Sequence, residues 1–151
     1  METWADIDIA NLTNCHELSC VVNNTLLTPL KWLMFKDNLK KKLQTIGEDP
    51  SIKKFYMYYD VTFLDLMIQP EKYKEISQIF IENYELFEDK LLGTFIYVEN
   101  HMMNLMINIF MKFYRPVRPL FILKTKSINP NIVNDLLENR KNENEYNIHS
   151  H

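Results

Sequence analysis

Three clusters of side chains in this 151-residue chain have the residue types to do chemistry at a common rim. Asp60, Asp65 and Gln69 follow one apolar run, Glu99, Asn100 and His101 follow a second, and Lys124, Thr125, Lys126 and Ser127 follow a third. If those runs are parallel strands, the clusters meet at the carboxyl end of the sheet, where open α/β folds collect ligands. Carboxylates, an imidazole and ammonium groups together suit a polar pocket or general acid–base catalysis. Strand ends and helix starts are also polar for a simpler reason, because their backbone groups need partners. No nucleophile–base pair stands at a motif spacing, so the expected role of the rim is binding and the chain is expected not to be an enzyme.

A second candidate is the stretch KFYRPVRPLFILK, residues 112–124. Arg115 and Arg118 have the forked guanidinium that grips phosphate or carboxylate. The prolines have an architectural reading. Pro116 would end a helix, placing Lys112 and Arg115 in its last turn against the carboxyl-end dipole, and Pro119 would open a strand. That leaves Arg118 as the arginine without an architectural explanation. The helix before this linker has an inward stripe of Met102 or Met103, Met106, Ile109, Phe110 and Phe113, opposite Asn104, Asn108, Lys112 and Arg115. Ile107 and Met111 fall at the boundary. The apolar arc is wide and rich in adaptable methionines, so these two are candidates for a partner or dimer face.

Metal chemistry is poorly served. Cys15, His16 and Cys20 lack a second ligand pair, and His149 and His151 sit in a polar terminal segment, so neither a metal nor any other cofactor is expected. With two cysteines and no leader-like N-terminus, the thiols are expected to be reduced in a cytoplasmic protein. Two glycines are too few for a phosphate-cradling loop. Net charge is −3 and no apolar run approaches a membrane span, so the expected partner is neither nucleic acid nor a bilayer crossed by a helix.

The elements that would position these groups follow from periodicity. Residues from about Trp4 to Leu12 alternate as an edge strand, and Glu17–Val22 reads as its hairpin partner. Thr28-Pro29 opens a helix with Leu30, Leu33, Leu39, Leu43 and Ile46 inward, ended by Gly47 in a left-handed cap. KKFYMYYDVTFLD is apolar on both faces, as a central strand requires. Pro70 opens a helix with the stripe Tyr73, Ile76, Phe80, Tyr84 and Phe87. LLGTFIYVEN is a buried strand, Asn100 caps the methionine-rich helix, RPLFILK is a further strand, and Asn129-Pro130 starts a last helix. The fold class is therefore α/β: a single layered domain over residues 1–138 in the order β-β-α-β-α-β-α-β-α. Its sheet is mostly parallel with an antiparallel N-terminal edge strand, and residues 139–151 form a polar tail expected to be flexible.

That order, the strand ending in VTFLD at Val61–Asp65, and the helix running into FYRPVRP resemble the STAS-like superfamily. The group includes bacterial anti-sigma-factor antagonists and SpoIIAA-like proteins. The resemblance implies a regulatory or scaffolding domain that works through protein–protein contact; the wide methionine-rich helix adds a second copy of the chain to the expected partners. In the antagonists the third strand is followed by Asp-Ser-Ser-Gly, whose serine is the phosphorylation switch. Asp65 matches the aspartate, but Leu66, Met67 and Ile68 follow it, so the member implied here has no such switch. The surface around Asp65, Met67 and Gln69 is then a partner contact, and an anionic lipid or nucleotide at the rim is the alternative occupant.

Overall fold

Thr28 shows how closely local chemistry sets the architecture. Its side chain accepts a hydrogen bond from the Lys31 amide at 3.2 Å, and Pro29 occupies the first helical turn, where a missing N–H is harmless. The computed structural model describes residues 2–23, 26–62, 69–99, 102–138 and 148–150. In it the strands are β1 (Ala5–Asn11), β2 (His16–Val22), β3 (Phe55–Asp60), β4 (Leu91–Tyr97), β5 (Leu120–Leu123) and β6 (Ile148–Ser150). The helices are α1 (Pro29–Glu48), α2 (Pro70–Glu82), α3 (Tyr84–Lys90), α4 (Met102–Phe110) and α5 (Pro130–Glu138).

The chain is an α/β protein with a mostly parallel sheet. Strand order is β1-β2-β3-β4-β5-β6, β1 pairs antiparallel with β2, and every later pair is parallel. Parallel neighbours need a crossover, which the helices supply. Residues 148–150 pair with β5, beyond the boundary at 138 expected from the polar composition; residues 139–147 and His151 lie outside the described residues.

Side chains divide into two packed groups by strand parity. One face presents Ile7, Leu18, Cys20, Phe55, Met57 and Leu91 to a core completed by Trp32, Phe35, Leu39, Leu43 and Ile46 of α1 and by Ile79, Phe80 and Phe87 of α2 and α3. The other presents Tyr56, Tyr58, Leu92, Phe95, Phe121 and Leu123, against which Ile132, Val133, Leu136 and Leu137 of α5 pack. These are called the core face and the α5 face below.

Several local expectations change. Leu30 and Leu33 are exposed, while Trp32 and Phe35 turn inward and meet Trp4, with ring centroids 5.6 and 5.0 Å from it. Larger aromatic area at these two positions outweighs the leucine pair. Gly47 does not cap the helix. It stays helical, no glycine has positive φ among the described residues, and the end comes at Asp49, whose N–H donates to the Thr45 carbonyl. The helix opened by Pro70 divides at Asn83, whose side-chain amide donates to the Ile79 carbonyl at 2.7 Å and so competes with continued helix.

Gly93 marks a β-bulge. Phe55 pairs with Leu91 but Met57 pairs with Thr94, so β4 carries one more residue than β3 across that interval. A Cβ on Gly93 would lie 3.1 Å from the Pro119 carbonyl oxygen and 3.2 Å from Leu136 Cδ1. Glycine therefore lets β5 and α5 close onto β4.

Candidate functional site

Met57 and Tyr59 on the core face of β3, with Thr94 and Ile96 of β4 and Leu120 of β5, form the floor of a partly enclosed cavity of about 130 Å³. Its walls are Tyr73, Ile76 and Phe80 of α2 and Met106, Ile107 and Phe110 of α4, with Val61, Tyr114 and Pro116 at its margins. The stripes explain why these residues meet. Tyr73, Ile76 and Phe80 recur at helical spacing, as do Met106, Ile107 and Phe110, and alternate positions of β3 and β4 point to the same face.

The lining is almost wholly apolar. Phe80 packs its ring against Phe110 at 6.0 Å and Tyr114 at 5.3 Å, fixing one wall. The polar groups are few. Thr94 is buried, and the Tyr59 hydroxyl donates to the Met57 sulfur at 3.3 Å, a weak acceptor. Burial holds the Tyr59 phenol well above its ordinary range, with further contributions from Cys20 and Tyr114. Burial likewise raises the Tyr114 phenol. Both stay neutral near pH 7, so the cavity offers a ligand shape and dispersion contacts rather than charge.

The residues expected at the binding surface are dispersed. Ile107 is buried and lines the cavity, so it does not contribute to an outward partner face; Met111 is half-buried one turn later. Gln69 is exposed at the N-terminal cap of α2, with no side-chain capping bond. Asp65, Met67, Asn100 and His101 lie outside the described residues. Arg115 is exposed, but α4 closes at Phe110 and its continuation as turns ends at Phe113, so Arg115 is not a last-turn cation. Its backbone carbonyl accepts from the Tyr84 hydroxyl at 3.0 Å.

Arg118 is only 3% exposed. Its guanidinium donates to the carbonyl oxygens of Glu88 at 2.5 Å and Val117 at 3.1 Å. A cation thus satisfies a carbonyl in the last turn of α3 and ties it to the entry of β5. Arg118 is accordingly an architectural residue, with its donors turned inward where an external anion does not reach. The dipole role assigned from sequence to Arg115 belongs to Arg118, which reaches from the loop before β5 to the last turn of α3.

The rim is likewise partly occupied by its own chain. Asp60 is buried, accepts from the Thr62 amide at 3.0 Å and hydroxyl at 2.6 Å, and pairs with Lys126 Nζ at 3.4 Å. In comparisons with protein-family models, curated proteins and solved structures, none matches this chain.

Among the described residues no group of three or more His, Cys, Asp and Glu side chains could hold a metal ion. Cys15 packs on the α5 face and Cys20 on the core face, so the two thiols of one strand region are separated by the sheet itself. Both are buried, and burial raises both thiols, Cys20 to about 12. No helix among the described residues is long and apolar enough to cross a membrane.

Proposed function

We propose that the chain is a non-enzymatic binding domain that takes an uncharged, apolar small ligand into the cavity between β3–β5 and α2–α4. The observation that carries this reading is the cavity lining: aromatic, aliphatic and methionine side chains from both layers around about 130 Å³. A dry apolar cavity of roughly 150 Å³ accommodates a benzene-sized molecule, which sets the ligand class as a single ring or a short branched chain. The Tyr59 hydroxyl favours a ligand with one hydrogen-bond acceptor, because a carbonyl or ether oxygen is a better acceptor than the Met57 sulfur. This moves the expected small-molecule site from the strand-end rim to the core face. It also replaces an anionic ligand with a neutral one, since Arg118 is turned inward.

The test is a ligand titration with small aromatics and short-chain ketones, followed by NMR shifts of the Met57 and Met106 methyl groups. Those methyl groups should move first. Met106→Trp should fill the space and abolish the response while leaving the fold intact by circular dichroism. Unmoved methyl groups at saturating probe, or an unchanged response in the filled variant, would sink the reading.

A second reading has its own support. The element order and parallel sheet are compatible with a STAS-like regulatory or scaffolding domain without the serine switch, acting through protein–protein contact. The observation that favours protein contact is that, among the described residues, Asp6, Asp8 and Val21 on the β1–β2 part of the α5 face are exposed. Purified chain mixed with a true partner should show a contact mapped to that face by amide exchange; protection confined to the cavity walls would count against it.

A further inference from the structure

On the α5 face the described residues build part of a layer: Tyr56, Tyr58 and Asp60 of β3 are buried, whereas Asp6, Asp8 and Val21 of β1 and β2 are exposed and Glu17 and Ser19 half-buried. α5 lies over β4, and its apolar residues pack on the group formed by Tyr56, Tyr58, Phe95 and Phe121. The register sets out three rows across β1, β2 and β3: Asp6, Val21 and Asp60; Asp8, Ser19 and Tyr58; Ala10, Glu17 and Tyr56. A groove of about 430 Å³ runs beside these rows, bounded by Glu17, Ser19, Tyr58 and Lys126. Parallel strands such as β2 and β3 ordinarily carry cover on both faces.

The chemistry of the rows names the cover that would fit them. Every charged side chain in them is a carboxylate: Asp6, Asp8, Glu17 and Asp60. The groove also shows how it holds a cation, because Lys126 Nζ sits 3.4 Å from Asp60 Oδ2 and 5.6 Å from the centre of the Tyr97 ring. The same combination of carboxylate and phenol recurs nearer the edge, where the Tyr56 hydroxyl donates to Glu17 at 2.5 Å. Three strands span about 10 Å across the sheet, close to the diameter of one helix with its side chains. Phosphate-bearing partners are disfavoured by the four carboxylates.

We infer that the exposed β1–β2 part of this face is a docking surface for a basic amphipathic helix of a partner protein, lying beside α5 with its lysines or arginines over Asp8 and Glu17. The inference rests on the protein-contact reading and is independent of the cavity.

The probe is a fluorescein-labelled helical peptide of leucine and lysine at amphipathic spacing, with a matched leucine–glutamate peptide as control, titrated against the full chain. The lysine peptide alone should bind, more weakly as salt rises. Asp8→Asn with Glu17→Gln should weaken it roughly tenfold, as expected for loss of facing charges. Ser19→Arg, which fills the groove with a cation, should block it, and amide protection should fall on β2 and β3. Met106→Trp should bind the peptide as the parent does, so that failure of the cavity reading and failure of this one are separable. The inference is overturned if the lysine peptide does not bind, or if both peptides bind alike. It is also overturned if the charge variants bind like the parent, if the cavity-filled variant loses the peptide, or if sedimentation shows that a second copy of the chain covers the face instead.

Discussion

The two faces of one sheet solve different problems. The core face is covered from β1 to β5 by helices whose apolar stripes meet alternate strand residues, with a gap lined by Met57, Phe80 and Met106. Among the described residues the α5 face is packed over β3, β4 and β5, and toward β1 and β2 its residues change from Phe95 and Phe121 through the buried Tyr56 and Tyr58 to Glu17 and Asp8. Tyrosine is the intermediate solution, with a ring for the packed side and a hydroxyl for the wet one. The two faces thus differ in chemistry: the core face closes with aromatic and aliphatic side chains, and the α5 face turns to phenols and carboxylates toward β1 and β2.

The largest test of that division is a pair of truncations. Phe87, fully buried against Phe55 and Phe80, should cost about 3–5 kcal/mol when replaced by alanine. Leu136→Ala on half-buried α5 should cost about 2 kcal/mol or less in urea unfolding, near the lower end for leucine truncation. Equal losses would break the comparison. Next comes Gly93→Ala, expected to cost roughly 1–3 kcal/mol because the new methyl group must displace Leu136 or the Pro119 carbonyl. Amide exchange should then quicken in α5 and stay unchanged in α1; the opposite pattern would place the strain elsewhere.

A smaller effect needs no substitution. The phenols of Tyr58, Tyr59 and Tyr114 are raised in the folded state, Tyr58 to about 12, mainly by burial. A raised phenol keeps its proton longer when folded than when unfolded. Its stabilisation is therefore full below the ordinary value near 10 and declines as pH rises from there toward and through 12. Tyrosinate absorbance from these phenols should lag the titration of free tyrosine and then rise together with loss of circular dichroism. Early ionisation without unfolding would show the phenols to be accessible. The mildest probe is alkylation near pH 8, where Cys20, raised to about 12 from 9.0, should react far more slowly than a free thiol. Cys15, raised by burial and by Glu17, should react before Cys20.

Much of the fold was readable because its signals are local. Prolines 29, 70 and 130 each begin a helix, and the two-sided apolar run of β3 marks a central strand. Misreadings arose where neighbours in space decide. Trp32 and Phe35 displaced Leu30 and Leu33 because Trp4 waits across the layer, and the Asn83 break depends on one side-chain bond. The site was less legible still. A cavity is the space left by α2, α4 and three strands, and no segment carries it alone. Arg118 was singled out, but its partner carbonyl at Glu88 lies thirty residues away and leaves no mark in sequence.

The strictly sequential strand order carries a last consequence, for how the chain comes to be folded. Each strand pairs with the one made just before it, so no segment must wait for a distant partner or be threaded between finished ones. The hairpin, α1 and β3 can assemble while later residues are still being synthesised, and each following unit adds at the growing edge. The exposed residues of the α5 face, Asp6, Asp8 and Val21, lie instead on the first two strands to emerge. A partner helix could engage them before the rest of the sheet exists.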